Sequence, residues 1–190
     1  MFNQYYLMAQ LPSFSVEDNK GSLPITEEYF YELCSRFLDS KSLSLLKEIS
    51  LEPPRSKSST GSAFVDAWYE NERKLRIALA QIRALNLNKK FDSENESISP
   101  DIVQAARTAV GMDSPLSAEQ FLNKYRLALL NNIRPSDDFS VDAVFAYYLK
   151  LKLALRIRKF DVEKGMASYH KIYDSILNAD FGAGKNMGEN

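Results

Sequence analysis

Apolar residues recur at helical spacing along most of the chain, and no segment shows sustained two-residue alternation bounded by turn signals, so the pattern predicts an all-α fold. The clearest stretch begins at Ser62. From there to about Leu87 there is neither Gly nor Pro, and Phe64, Trp68, Leu75, Leu79 and Ile82 fall within about 60° of one another on a helical wheel. A long amphipathic helix is therefore expected over 62–87. Glu72 and Arg76 stand four apart on it in the favourable order, and Arg83 follows on the same edge, which gives a structural charge ladder beside the apolar stripe.

Between Val141 and Phe160 the apolar positions form two rows, Val144, Tyr148, Leu151, Leu155 and Phe145, Leu149, Leu153, Phe160. A helix with two such rows must be covered on two sides, which marks it as the centre of the fold. Ser140 can cap it. Shorter helices are expected from about 27 to 38 behind the cap Thr26, and after Asp39 or Ser40 with Leu43, Leu46 and Ile49. Ser99-Pro100-Asp101 opens another, to about Val110. Ser117-Ala118-Glu119-Gln120 reads as a capping box ahead of Phe121, Leu122, Tyr125 and Leu129, with Pro135 ending that helix. A last helix carries Met166, Tyr169, Ile172, Tyr173 and Ile176.

Polar stretches divide these elements. Residues 52–61, EPPRSKSSTG, lack an apolar face and predict a mobile loop; NKKFDSENES makes a second linker. The expected architecture is an antiparallel helical bundle of about seven helices in two associated halves, about 1–90 and 99–178, forming a single all-α domain over 1–178, with 179–190 as a flexible tail. Ala67-Trp68-Tyr69 with Leu75-Arg76-Ile77 is echoed by Ala146-Tyr147-Tyr148 with Leu155-Arg156-Ile157, which leaves an internal duplication open.

Composition agrees with the pattern. Leu (23) and Ala (17) outnumber Ile (10) and Val (7), and Gly and Pro contribute seven each to 190 residues, a mixture that favours helix over sheet. The net charge of -1 supplies no global field toward nucleic acid, so no nucleic-acid partner is expected. The longest apolar run, Ala143 to Leu149, is far short of the roughly 20 residues a bilayer span needs, so no direct membrane insertion is expected. The opening MFNQYYLMAQLP has no basic residue ahead of its apolar positions and does not read as a signal peptide. A single cysteine, Cys34, excludes an internal disulfide and reads as a small core residue in a reducing, cytoplasmic setting.

Candidate chemistry is sparse, and no cofactor, metal or catalytic residue is assigned. One His and one Cys cannot assemble a zinc site from soft ligands, and His170 has no nucleophile or orienting acid placed beside it. Gly182-x-Gly184-Lys185 lacks the upstream glycine of a phosphate loop, and Asn186 stands where Ser or Thr is required. The strongest charge asymmetry is Lys150, Lys152, Arg156, Arg158 and Lys159, five cations with no acid between Asp142 and Asp161. On a wheel they scatter around the helix, so they suit acids of neighbouring helices or an acidic partner better than a nucleic acid. Candidate partner-binding residues are Tyr5, Tyr6, Lys150, Lys152, Arg156 and Lys159.

Three stretches together carry a family resemblance: Tyr5-Tyr6-Leu7-Met8-Ala9-x-Leu11-Pro12, Trp68-x-x-x-Glu72-x-x-Leu75-Arg76-x-x-Leu79-x-x-x-Arg83-Ala84, and Tyr147-x-Leu149-Lys150-Leu151 ahead of Lys164-Gly165. They resemble an uncharacterised bacterial family whose genes lie among those of the V-type (A/V-type) ATPase. More distantly, the two long helices are similar to the funnel of helical repeats that sits on the rotor ring of those ATPases and receives the central stalk, through Glu72-x-x-Leu75-Arg76 and Leu155-Arg156. The resemblance implies a noncatalytic subunit or accessory that couples or assembles central stalk and membrane rotor. Its implied partners are the central-stalk and rotor-ring subunits, and its place is the cytoplasm, peripheral on the inner face of the plasma membrane through those partners. The competing expectation is a helical adaptor or regulator unrelated to rotation.

Overall fold

A computed structural model describes residues 2–17, 22–91, 97–160 and 162–184; of residues 2, 3, 162–164 and 178–184 it describes the backbone alone. Among the described residues there are eight α-helices and no strand: α1 (Phe2–Gln10), α2 (Glu27–Phe37), α3 (Ser40–Glu48), α4 (Ala63–Asn86), α5 (Pro100–Val110), α6 (Pro115–Asn132), α7 (Val141–Arg158) and α8 (Val162–Gly184). The protein is all-α, and α1 is the helix that sequence spacing did not isolate. No described helix is long and apolar enough to cross a membrane.

Helix ends follow local chemistry. The side-chain oxygens of Thr26, Asp39 and Ser62 accept from the amides of Tyr29, Ser42 and Val65, and Ser140 Oγ accepts from Ala143 N at 3.1 Å. Helix α4 closes with Asn88 in the left-handed region, so that Lys89 N donates to Ala84 O and Asn88 N to Leu85 O. One cap is corrected: α6 starts at Pro115 behind Ser114, whose Oγ accepts from Ser117 N. Proline at the first helical position, with its φ already set, moves the start ahead of the expected box and releases Glu119 for another role.

The chain forms two compact units, Met1–Ile157 and Arg158–Asn190. In the first, one large core holds Leu7 of α1, Phe30 and Leu33 of α2, Leu46 of α3, Trp68 of α4, Leu130 of α6 and nine buried residues of α7, including Leu149, Leu151 and Leu153. A second cluster joins Leu75, Ala78 and Leu79 of α4 to Ile102 and Ala106 of α5 and Leu122 of α6. Both expected halves therefore contribute to each cluster, with α4 running through the two. Both rows of α7 are buried except toward their distal ends, and Phe160, just past the helix, is exposed. Cys34 lies in the core as expected, and burial pushes its thiol up to about 12.

Residues 52–61 are non-helical but tethered. Ser59 Oγ, Thr60 N and Thr60 Oγ1 all donate to the Asp66 carboxylate at 2.7–2.8 Å, and Arg73 donates to Pro54 O. Burial would raise the Asp66 carboxyl; these hydrogen bonds outweigh it and hold it below its ordinary value. Gly61 takes φ +83, a left-handed conformation that lets the loop turn into the Ser62 cap without a Cβ penalty.

In the second unit, α8 continues as helix to Gly184, so 179–184 are helical where a tail was expected; the rest of that tail, 185–190, lies outside the described residues. Met166, Tyr169, Ile172, Tyr173, Ile176 and Leu177 are all exposed on it.

Candidate functional site

Among the described residues, the site with the most usable chemistry is a cleft of about 330 Å3 in the first unit, where α1, the α6–α7 connection and α7 meet. Met8 comes from α1; Arg134, Pro135, Asp138 and Phe139 come from the connection. Helix α7 contributes Ala143, Ala146, Tyr147 and Lys150, whose three- and four-residue spacing puts them on one face. Pro135 cannot continue α6, so the chain turns here and presents both walls. Tyr5 packs on Phe139 with ring centroids 4.7 Å apart, and Tyr6 stands edge-on to Tyr5; all three rings are at least 44% exposed and form an aromatic rim.

Charge in the cleft is unbalanced. Arg134 Nε donates to Asp138 Oδ1 at 3.0 Å, a pair exposed on both sides. Lys150 is partly buried and has no hydrogen bond or ion pair among the described residues. Burial, then repulsion by Arg134, lowers the Lys150 ammonium from its ordinary value.

The other cations of α7 have internal partners. Lys152 Nζ lies 3.3 Å from Glu27 Oε1 and 4.8 Å from the centroid of the Tyr148 ring, and Arg156 pairs with Glu119. Lys159 is exposed, as are Tyr5 and Tyr6. Of the six residues expected to bind partners, the fold thus brings Tyr5 and Lys150 to one cleft and turns Lys152 and Arg156 inward. These cations meet acids of α2 and α6, not of α4; α7 and α4 touch instead through Ser62 Oγ, which donates to Asp142 Oδ1 at 2.6 Å.

The charge ladder is rebuilt by tertiary contacts. Glu72 is 1% exposed and receives Arg126 as a fork, Nε to Oε2 at 3.0 Å and Nη2 to Oε1 at 2.9 Å, together with Arg76 Nε at 3.1 Å. Arg126 Nη1 reaches Glu119 and Asn123, and Arg76 extends to Glu52 at 3.4 Å. Burial alone would lower the Arg126 guanidinium; the Glu72 carboxylate outweighs it and the direction is up. Arg83 is exposed and takes no part. Sequence reasoning missed Arg126, whose signal was a cation placed between Leu122 and Leu130 on the apolar side of α6.

A third cluster caps α2 against α7. Tyr148 Oη donates to Glu27 Oε1 at 2.6 Å and is hydrogen-bonded to Tyr31 Oη, while Phe30 stacks on the Tyr148 ring at 5.2 Å. Tyr147 Oη donates to Pro12 O at 2.8 Å. Burial, reinforced at Tyr148 by the Glu27 hydrogen bond, raises both phenols well above their ordinary value, and Tyr125 is pushed up to about 12 by burial and Asp101. A phenol raised in the folded state contributes stability that is intact below the unfolded pKa of about 10 and is lost as pH climbs through the folded value. Chemical unfolding followed from pH 8 to 11 is therefore expected to show stability falling above about pH 10, with a shallower fall in Tyr147→Phe. Identical slopes in the two proteins would refute the assignment.

Among the described residues no group of three or more His, Cys, Asp or Glu could hold a metal ion. Against known proteins, a family model described as "protein of unknown function (DUF2764)" matches residues 108–179. That stretch runs from the end of α5 through α6 and α7 into α8, and includes Arg134, Lys150 and Arg126 but not α1 or Glu72. No curated protein and no solved structure matches the chain.

Proposed function

We propose that this chain is a noncatalytic accessory of a bacterial V-type ATPase, an all-helical part that, like the funnel on the rotor ring, couples or assembles central stalk and membrane rotor. The observation that carries a docking role is the apolar face of α8: six large apolar residues from Met166 to Leu177, each at least 38% exposed, follow one another at helical spacing. Such a stripe supplies the buried anchor that a helix-in-groove contact needs. The sequence resemblance set out above supplies the identity of the partner, and the family match extends into α8. Through those partners the protein would sit on the inner face of the plasma membrane.

Affinity purification of the tagged full chain from native membranes tests this. Central-stalk or rotor-ring subunits are expected to co-purify with the wild type and to be lost with Ile172→Glu/Ile176→Glu. Both positions are exposed, so that variant should keep the wild-type circular dichroism and melting curve. If none of the ATPase components co-purifies, the chain is a helical adaptor outside the rotary enzyme.

A further inference from the structure

We propose that the cleft between α1 and α7 is a recognition site for an acidic, partly apolar segment of a partner protein, with Lys150 binding a carboxylate and Met8, Pro135 and Tyr147 receiving the adjoining apolar side chain. The proposal stands apart from the V-type ATPase reading, because it rests on the cleft and not on α8.

Four features of the cleft converge on that occupant. Lys150 is a partly buried ammonium with no counter-ion among the described residues, where its neighbours on α7, Lys152 and Arg156, each have one. A charge drawn out of water and left unpaired costs free energy that an incoming carboxylate returns, so the site is complementary to an anion. Second, the nearest acid is already taken: Asp138 is held by Arg134 on the opposite wall, which leaves two cations against one carboxylate facing the space. Arg134 is exposed and can turn a donor to the same anion.

Third, the remaining lining is apolar or aromatic, and Tyr147 already spends its hydroxyl on Pro12. A polar metabolite would need several fixed donors and acceptors to orient it, and this wall has few to give. A segment that alternates a carboxylate with an apolar side chain matches it at both points. Fourth, the rim of Tyr5, Tyr6 and Phe139 is exposed and self-stacked; such rings give large contact area at little entropy cost and are enriched where proteins meet proteins.

Selection from a random heptapeptide library on immobilised full-length protein, with Lys150→Met as counter-selection, is the direct experiment. Peptides kept by the wild type and rejected by the variant are expected to carry Asp or Glu next to an apolar residue. Fluorescence anisotropy with one such peptide should then show about a tenfold or greater loss of affinity in Lys150→Met, a smaller loss in Arg134→Gln, and weakening with salt. Lys150→Met should melt no lower than the wild type, because it removes an unpaired, partly buried charge; a merely structural lysine would instead lower the melting temperature. Replacing the peptide's acid by its amide should reproduce the Lys150→Met loss. The proposal is overturned if no peptide is selected, if the selected peptides lack acids, or if the amide peptide binds as well as the acid. It is also overturned if inorganic phosphate displaces the peptide at lower concentration than the peptide itself binds, which would make this a small-anion site.

Discussion

Arg126→Met is expected to destabilise the protein by about 3–5 kcal/mol, whereas Glu72→Leu/Arg126→Met together should lie close to the wild type or above it. The reason is the position of the pair. Glu72 and Arg126 are 1% and 5% exposed and meet where the two apolar clusters adjoin, so removing the guanidinium leaves a carboxylate with only the half-exposed Arg76 to answer it. Removing both charges relieves two desolvation costs at once. The outer ions keep partners, since Glu119 still has Arg156 and Arg76 still has Glu52. A urea-melt double-mutant cycle measures this: strong positive coupling is expected, and additive losses in the double variant would show that the pair is not the isolated buried unit the geometry describes.

Leu149→Ala and Leu151→Ala should each cost about 2–5 kcal/mol, because each leaves a cavity in a wall of the large core that cannot collapse fully. Both leucines are fully buried, yet they belong to different rows of α7. In a domain of this size such losses lower the melting temperature by roughly ten degrees, while Phe160→Ala, exposed just past the end of the same helix, should fall within about 0.5 kcal/mol of the wild type. If only one of the two leucine variants melts early, α7 has one covered side and does not serve as the centre of the fold.

Much of the helical outline could be read from the chain because it is set by neighbours in sequence. The caps Thr26, Asp39, Ser62 and Ser140 act within three residues, and the apolar spacing of α4 and α7 is periodic over many turns. Helix α1 was not isolated in this way. Its inward residue is Leu7, with Met8 and Leu11 partly covered, while Tyr5 and Tyr6 point outward, so burial against α2 and not a broad apolar stripe of its own accounts for it.

The sequence by itself therefore determined the fold class, the long helices and the lack of a recognisable catalytic motif, since propensity, capping and periodicity are local and additive along the chain. It also brought out the cations of α7, but not their fates. Lys152 and Arg156 are matched by Glu27 and Glu119, both distant in sequence, and Lys150, two residues from Lys152, meets no acid among the described residues. Glu72 likewise lay at the edge of a helical wheel until Arg126 on α6 made its burial tolerable. A helical wheel records only the angle of a side chain about its own axis. What stands opposite, an acid, a guanidinium or open cleft, is decided by which helix packs there, and only the tertiary structure supplies that.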